Sequence, residues 1–298
     1  KMNIYDCFQY FDEDLLLDVR LHVLSKYVKK FIISEATYTH NGTPKKLKFD
    51  INNFKKFKDK INYVVTDKEP SNLIKVKNNE TEKEKADRLI LNGMARDYFQ
   101  RENLTEGFDD IGENDLVLIS DLDEIPNLEN INFNNTNDQF IFFKQDMMYY
   151  KFNLKLENYT WIGTKACRMK NLESPQWLRN IKDRSYPWWR IDTLFSKNKY
   201  RNIKFIENGG WHFSYLKTPQ DIEKKLKSYP HHREYELNPI GIDKIKILMD
   251  QKKTVYNLKN DQRLNKFNSE NKLKRIEINC LPKYISDHKD KLKEWIEI

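Results

Sequence analysis

A short apolar segment that ends in three carboxylates constrains the fold of this chain more than any other feature. Residues 116–119, Leu-Val-Leu-Ile, have the size and branching of a buried central strand. Asp121, Asp123 and Glu124 follow where such a strand leaves its sheet, and Pro126 is expected to end the segment. Because ligands of open α/β sheets bind outside the carboxyl ends of the strands, this Asp-x-Asp predicts a divalent cation held by carboxylate oxygens.

Alternating strand and helix patterns around this segment predict an α/β fold. Residues 3–10 resemble a strand, residues 13–27 carry apolar side chains at helical spacing, and residues 31–34 resemble a second strand. This order is the start of a parallel sheet. Further strands are predicted at residues 61–66, 139–144 and 203–207, a strand pair at 149–156 and 161–168 around Gly163, and helices at 83–103, 222–229 and 241–251.

Length and charge limit the domain organisation and the partners. The chain of 298 residues fits one catalytic domain, residues 1–228, with a basic, mainly helical extension, residues 229–298, packed on it. A net charge of +8 favours anionic partners, such as phosphate-bearing small molecules or the surface of an acidic membrane. The lysines are spread along the chain without an arginine-rich block, which argues against a dedicated nucleic-acid binder. The oligomeric state is left open.

The cysteines and the absence of a long apolar run indicate the compartment. Cys7, Cys167 and Cys280 lie far apart without a CxxC motif, which argues against a zinc site or a disulfide framework and favours a reducing environment. No run approaches the length of a membrane span, and Met2 leads directly into the first strand. We therefore expect a soluble, cytoplasmic protein.

Two further stretches carry residues suited to ligand binding. His212 follows Gly209-Gly210, where the backbone can approach a ligand closely, so it is a candidate nitrogen ligand, although a lone histidine is more often structural. The stretch Tyr186-Pro-Trp-Trp-Arg190 has a composition suited to stacking on a sugar or a base, and filling a core explains it equally well. An Asp-x-Asp alone is weak evidence, because most such pairs are solvated acidic turns.

Five blocks of the sequence form a recognisable set. They are Tyr5-Asp-Cys-Phe with residues 13–21, Ile33-Ser-Glu-Ala-Thr with residues 40–45, Gln100-Arg101 before Gly107, residues 120–126, and Gly209-Gly-Trp-His-Phe-Ser214. With these blocks the chain resembles glycosyltransferase family 17, the family of the β-1,4-N-acetylglucosaminyltransferase that adds the bisecting sugar to N-glycans. The resemblance implies a GT-A fold with a Rossmann-type mixed sheet flanked by helices, a nucleotide-sugar donor and an inverting transfer.

The resemblance also implies roles for single residues. Asp121 and Asp123 look like the metal motif of GT-A enzymes, and His212 looks like their C-terminal metal-binding histidine. Glu35 and Thr37 lie where the first loops of such enzymes meet the nucleotide. The chain departs from the animal members because it shows no amino-terminal membrane anchor and its tail after Tyr229 follows no family pattern. A bacterial or viral type of enzyme is therefore expected, with an unknown acceptor.

These observations predict a metal-assisted transfer. Mn²⁺ or Mg²⁺ on Asp121, Asp123 and His212 would neutralise the diphosphate leaving group of a UDP-sugar, with N-acetylglucosamine as the expected sugar. Charge-assisted contacts to the phosphates are expected from basic side chains such as Lys45 and Arg101, with Arg88, Arg96 and Arg190 as further candidates.

An inverting transfer also needs a carboxylate that deprotonates the acceptor hydroxyl. Asp192 is the first candidate, because it follows aromatic side chains that could hold an acceptor sugar, and Glu207 and Asp146 are alternatives. Two other functions fit the same residues. One is a metal-dependent nucleotidyltransferase or phosphohydrolase that acts on a diphosphate, and the other is a glycan-binding protein without turnover.

Overall fold

A mixed β-sheet forms the centre of the computed structural model, which describes residues 2–133, 139–228, 232–255 and 271–298. The first part of the chain builds a parallel unit, because β1 pairs in parallel with β2 and β4, and β2 pairs in parallel with β3. The predicted parallel opening of the fold is therefore confirmed. Its elements are β1 (Ile4–Tyr10), α1 (Asp14–Leu24), β2 (Lys30–Ala36), β3 (Ile61–Thr66), α2 (Glu82–Glu102) and β4 (Leu116–Asp121).

The second part of the chain completes the sheet with mostly antiparallel pairings and adds short helices. No helix in the described ranges is both long enough and apolar enough to cross a membrane. The elements are β5 (Glu124–Pro126), β6 (Phe140–Tyr149), β7 (Leu154–Arg168), α3 (Pro175–Asn180), β8 (Ile203–Ile206), β9 (Gly210–Ser214), α4 (Pro219–Ser228), α5 (His232–Leu237), α6 (Gly241–Asp250), β10 (Leu273–Arg275) and α7 (Lys283–Asp287).

The strand order explains how distant segments come together. The main path is β3-β2-β1-β4-β7-β6-β9-β5, with β10 paired to β7 and β8 paired to β6. Strand β7 is antiparallel to both β4 and β6, whereas β9 is parallel to β6 and antiparallel to β5. The α/β class and the mixed sheet flanked by helices are confirmed.

One predicted strand pair is wrong. Residues 161–168 do not pair with residues 149–156 around Gly163, because Leu154–Arg168 is a single strand, β7, that pairs with β6. The turn lies earlier, where Tyr150 adopts a φ of 63°. Gly163 is a strand residue whose missing side chain leaves room for the side chains of Gln145 and Glu124.

The described residues after 228 share the cores of the rest of the chain. Leu273 in β10 lies opposite Leu156 of β7. Tyr235 and Ile245 belong to the same buried cluster as Ile222 of α4, and Ile285 of α7 joins the large cluster around α1. The division into residues 1–228 and 229–298 stays a prediction, and the described part of the second segment combines short helices with one strand.

Candidate active site

The Asp-x-Asp segment and the Gly-Gly-Trp-His segment meet directly. After β4 the chain turns at residues 122–123 and continues as β5, which pairs antiparallel with β9 so that Glu124 lies opposite His212. The backbone N–H of Phe213 donates a hydrogen bond of 2.8 Å to the carbonyl of Asp123. Two motifs that are far apart in the sequence therefore lie on the two paired strands that end the main path of the sheet.

Gly210 permits this close pairing. Its φ is +130°, which favours glycine, and a Cβ at this position would overlap the carbonyl oxygen of Ile125 in β5. The sequence predicts that the backbone at Gly209-Gly210, before His212, can approach a ligand closely. In the structure, the close neighbour of Gly210 is the backbone of β5.

Arg20 of α1 holds the turn that carries the two aspartates. Its Nη1 donates to the carbonyl oxygens of Asp121 and Leu122, both at 3.0 Å, and to that of Glu124 at 2.8 Å. Its Nε and Nη2 donate to the carboxylate of Asp6 in β1 at 2.8 and 2.6 Å, and both side chains are fully buried. One buried arginine thus fixes the backbone of the turn against the central strands.

Asp121 lies between two arginines. Nη2 of Arg101 is 3.0 Å from one of its carboxylate oxygens, and Nη2 of Arg179 is 3.4 Å from the other. Burial would raise the pKa of Asp121, but the two guanidinium groups outweigh burial and hold the pKa below its usual value. Arg101 is oriented in turn by Asp97, at 3.2 Å, and by the side-chain oxygen of Gln176.

Asp123 has different neighbours. Its carboxylate lies 3.5 Å from Nε2 of His212 and 3.7 Å from Nζ of Lys225 in α4. Burial opposes the ionisation of Asp123, but His212 and Lys225 together hold its pKa below the usual value. Burial lowers the pKa of His212, and attraction to Asp123 reverses this effect, so that the net shift is upward. The other ring nitrogen of His212, Nδ1, is buried and has no hydrogen-bond partner among the residues that the structure describes.

Glu124 has a supporting position. It is fully buried, and its two oxygens accept hydrogen bonds of 2.8 and 3.0 Å from Arg179. It also accepts from Nε1 of Trp161 at 2.7 Å and from the backbone N–H of Asp121 at 2.8 Å. These contacts use its hydrogen-bonding capacity on protein groups, so Glu124 orients Asp121 and Arg179.

A cavity of about 280 Å³ opens beside these residues at the carboxyl ends of β1 and β4. The described residues that line it include six carboxylates and four lysine or arginine side chains, while Arg179 and His212 contact two of these carboxylates from outside the lining. Burial lowers the pKa of the lining His40, which favours its neutral form. The charged lining residues are Asp12, Glu13, Asp97, Asp121, Asp123, Asp221, Arg101, Lys217, Lys224 and Lys225.

The donor atoms at the turn fit a divalent cation. Two carboxylates and an imidazole nitrogen are ligand types that Mn²⁺ accepts, and Nε2 of His212 lies 3.5 Å from the carboxylate of Asp123. Within the described ranges, no three histidine, cysteine or acidic side chains already converge as a coordination sphere. The reason is visible at Asp121, whose oxygens face Arg101 and Arg179.

Glu35, Thr37 and Lys45 do not line the cavity, although the sequence placed them at the nucleotide. Glu35 is fully buried and accepts hydrogen bonds from the backbone N–H groups of Lys48 and Phe49, at 2.7 and 3.0 Å, and forms an ion pair with Lys45. The carbonyl of Thr37 accepts from the N–H of Lys45 at 2.7 Å. These contacts secure the loop after β2.

The three predicted bases also lie outside the lining of the cavity. Asp192 is bound by Arg190 and Lys199 at 2.7 and 2.9 Å, and hydrogen bonds from these cations hold its pKa well below the usual value. Glu207 pairs with Lys144 at 2.6 Å, and Asp146 pairs with Lys155 at 2.7 Å. The cations beside Asp192 make it a weaker base, and the ion pairs of Glu207 and Asp146 lie outside the lining of the cavity, so the three assignments stay predictions.

Sequence reasoning missed several residues of the site. Arg20 lies inside one of the blocks quoted above, and an arginine on the apolar face of a predicted helix was a signal of a buried ion pair. Arg179 follows Trp177 and Leu178 in the sequence and had no comparable signal. Lys217 and Lys225 lie just after the Gly-Gly-Trp-His segment, where a lysine-rich helix was predicted without a role.

Comparisons with known proteins identify related sequences. The chain is 24% identical over 242 residues to the mouse and human proteins named β-1,4-mannosyl-glycoprotein 4-β-N-acetylglucosaminyltransferase. The alignments cover 74% of this chain, but 42% of the mouse and 43% of the human protein, so the chain spans less than half the length of these curated relatives. No solved structure gave a significant match.

A family model gives the broader match. It covers residues 1–258, which include both strands of the site, the clamping arginine and the helix that carries Lys225. The expected resemblance is therefore confirmed over most of the chain, which belongs to glycosyltransferase family 17.

Proposed function

We propose that this chain is a metal-dependent, inverting glycosyltransferase with a GT-A fold, which moves N-acetylglucosamine from a UDP-sugar to a hydroxyl of a glycan, in a β-1,4 linkage. The observation that carries the proposal is the meeting of Asp123 and His212 beside a cavity at the carboxyl ends of parallel strands. Membership of family 17 supports the reaction, and the names of the relatives support the sugar.

The charge of the cavity supports a requirement for a cation. A diphosphate would be repelled by a cavity whose described lining has more carboxylates than basic side chains. Asp121, Asp123 and His212 are the residues that would hold Mn²⁺ or Mg²⁺. When bound, the cation would neutralise the charge that develops on the diphosphate leaving group.

The side chains of the chain itself supply fixed positive charge. Arg101, Lys217 and Lys225 line the cavity, where they can contact phosphate oxygens directly. They are oriented before any ligand binds, because Asp97 holds Arg101 and Asp12 holds Lys217 at 2.9 Å. Preorganised donors of this kind stabilise developing charge without the cost of reorienting solvent.

The base that activates the acceptor stays open among carboxylates. Asp192, Glu207 and Asp146 remain predictions, and the cavity adds Asp221 as a candidate, because it lines the cavity and its carboxylate accepts a hydrogen bond from the hydroxyl of Thr218 at 2.7 Å. The acceptor and a cytoplasmic location likewise remain predictions.

Release of UDP from UDP-N-acetylglucosamine in the presence of Mn²⁺ tests the proposal. We expect Asp123→Asn to lower the rate by roughly a hundredfold, as loss of a group that stabilises transition-state charge does. The matched control is Asp110→Asn, which removes an exposed carboxylate paired with Lys30 and is expected to keep the rate. A chelator should abolish release, and added Mn²⁺ should restore it.

Other outcomes identify the alternatives. Full activity of Asp123→Asn, or of the wild type in excess chelator, would show that the metal assignment is wrong. Release of pyrophosphate or orthophosphate would indicate a nucleotidyltransferase or phosphohydrolase, and glycan binding without turnover would indicate a binding protein. A thermal-shift screen of UDP- and GDP-sugars with Mn²⁺ would identify the donor, because a ligand of the native state raises Tm.

A further inference from the structure

Residues 187–195, here called the apolar loop, expose an unusual concentration of large apolar side chains. Trp188, Trp189, Ile191, Leu194 and Phe195 are between 62% and 86% exposed. All the strongly exposed large aromatic side chains of the described ranges lie in this loop. Single exposed apolar residues are ordinary, but a group of this size within nine residues indicates a surface that contacts something other than water.

The apolar loop has a defined shape. Tyr186, at its start, is buried. The carbonyl of Arg190 accepts hydrogen bonds from the N–H of Thr193 at 3.2 Å and from Nη2 of Arg201 at 2.8 Å, and Oγ1 of Thr193 accepts from Nε of Arg201 at 2.9 Å. The carbonyl of Arg190 and the hydroxyl of Thr193 thus have partners within the loop and in Arg201, while the apolar side chains are exposed.

The surroundings of the apolar loop are basic. Residues 184–201 contain five lysine or arginine residues and one acid, Asp192, whose charge is offset by Arg190 and Lys199. Trp, Phe, Leu and Ile beside Lys and Arg form the composition of segments that lie in the headgroup region of a bilayer, where the apolar side chains insert and the cations meet acidic lipids.

We propose that the apolar loop is a membrane-contact surface that inserts its aromatic and aliphatic side chains into a bilayer containing acidic phospholipids. The proposal concerns attachment and does not depend on the transfer reaction.

Two other occupants fit the apolar loop less well. The rings of Trp188 and Trp189 cross at 85° with centroids 6.1 Å apart, so they do not form a flat pair on which a sugar could lie. Ile191 and Leu194 offer no hydrogen bonds to sugar hydroxyls. A second copy of the chain would bring a further net charge of +8 towards this basic region.

The test compares two triple variants in co-sedimentation with phosphatidylcholine vesicles, with and without phosphatidylglycerol. Trp188→Ser/Trp189→Ser/Phe195→Ser removes the aromatic side chains of the loop, and Leu91→Ser/Leu237→Ser/Ile247→Ser removes three exposed apolar side chains elsewhere. We expect the wild type and the control to bind the acidic vesicles at low salt. The loop variant should bind these vesicles at least roughly tenfold more weakly. Equal Tm values would establish that both variants are folded.

Two further readouts sharpen the result. Brominated acyl chains should quench tryptophan fluorescence of the wild type, and the loop variant should lose this quenching. Added salt should weaken binding, since the attraction to acidic lipids is screened. The proposal is overturned if the wild type does not bind acidic vesicles at low salt, or if the loop variant binds as well as the control. Loss of glycan binding or of self-association in the loop variant, with vesicle binding unchanged, would overturn it in favour of those occupants.

Discussion

At the scale of single residues, the site depends on side chains that face inward. Arg20 donates to three carbonyl groups of the turn after β4 and to the carboxylate of Asp6, and the side chains of Arg20 and Asp6 are fully buried. Glu124 similarly holds Arg179 and the N–H of Asp121. The two aspartates that line the cavity are therefore positioned by buried charges behind them, and the loss of one of these buried side chains would move the carboxylates of the aspartates.

We predict that Arg20→Leu lowers the free energy of unfolding by about 3–5 kcal/mol, because it leaves Asp6 charged and buried without its partner. Chemical denaturation followed by circular dichroism measures the change. Lys30→Leu is the control, since it breaks an exposed pair with Asp110 and should cost at most about 1 kcal/mol. Equal losses in the two variants would show that Arg20 does not act as a buried clamp.

At the scale of elements, the strands of the parallel unit were predicted correctly, because strands that are buried on both faces consist of nearly continuous apolar residues. The sequence predicted that the Asp-x-Asp segment and the Gly-Gly-Trp-His segment lie close together at one site. It did not predict that the two segments form paired strands. The strand pair around Gly163 was misread, because the glycine accommodates Gln145 and Glu124 from neighbouring strands, and such neighbours are invisible to local patterns.

Glu35 and Lys45 show a related limit. They were expected at the end of the second strand, but Glu35 is still part of β2, and a position along the chain does not tell which way a side chain points. The two side chains pair with each other at the loop after β2, and neither lines the cavity. The sequence could therefore indicate the edge of the sheet that carries the site, and the particular contacts of buried charges such as Arg179 required the assembled structure.

The junction of β5 and β9 yields a prediction at this scale. Gly210→Ala should lower the free energy of unfolding by about 3 kcal/mol or more, because it combines a φ of +130° with an overlap against Ile125. Gly241→Ala separates the backbone strain from the overlap, because Gly241 has a φ of +76° but no atom of the described residues lies within 4 Å of the position that a Cβ would take. We therefore expect this substitution to cost about 1 kcal/mol. Denaturation curves compare the two, and an equal cost would argue against close packing at Gly210.

At the scale of the whole molecule, the described C-terminal residues help to build the central sheet and its cores. Leu273 extends the sheet beside β7, while Ile285 and Leu292 pack in the cluster that contains the buried face of α1. The family match also runs past residue 228, to residue 258. A core distributed in this way ties the two ends of the chain to one another.

We therefore predict that a chain ending at Ser228 will not unfold cooperatively, because it exposes the apolar surfaces that later residues cover. Calorimetry of the shortened chain measures this directly. Removal of Ile298 alone, which is almost fully exposed, is the control and should leave the transition unchanged. A single sharp transition of the shortened chain at the Tm of the full chain would instead support an independent domain of residues 1–228.

The antiparallel pairing of β5 with β9 has a consequence for the evolution and the engineering of such a protein. Because Glu124 and His212 occupy paired positions, the position of each motif depends on the strand that carries the other. A chimera that exchanges residues 116–126 with those of another family member should keep its site only if residues 208–215 are exchanged with them. Recombination points between the two segments would separate a pair that the fold treats as one unit.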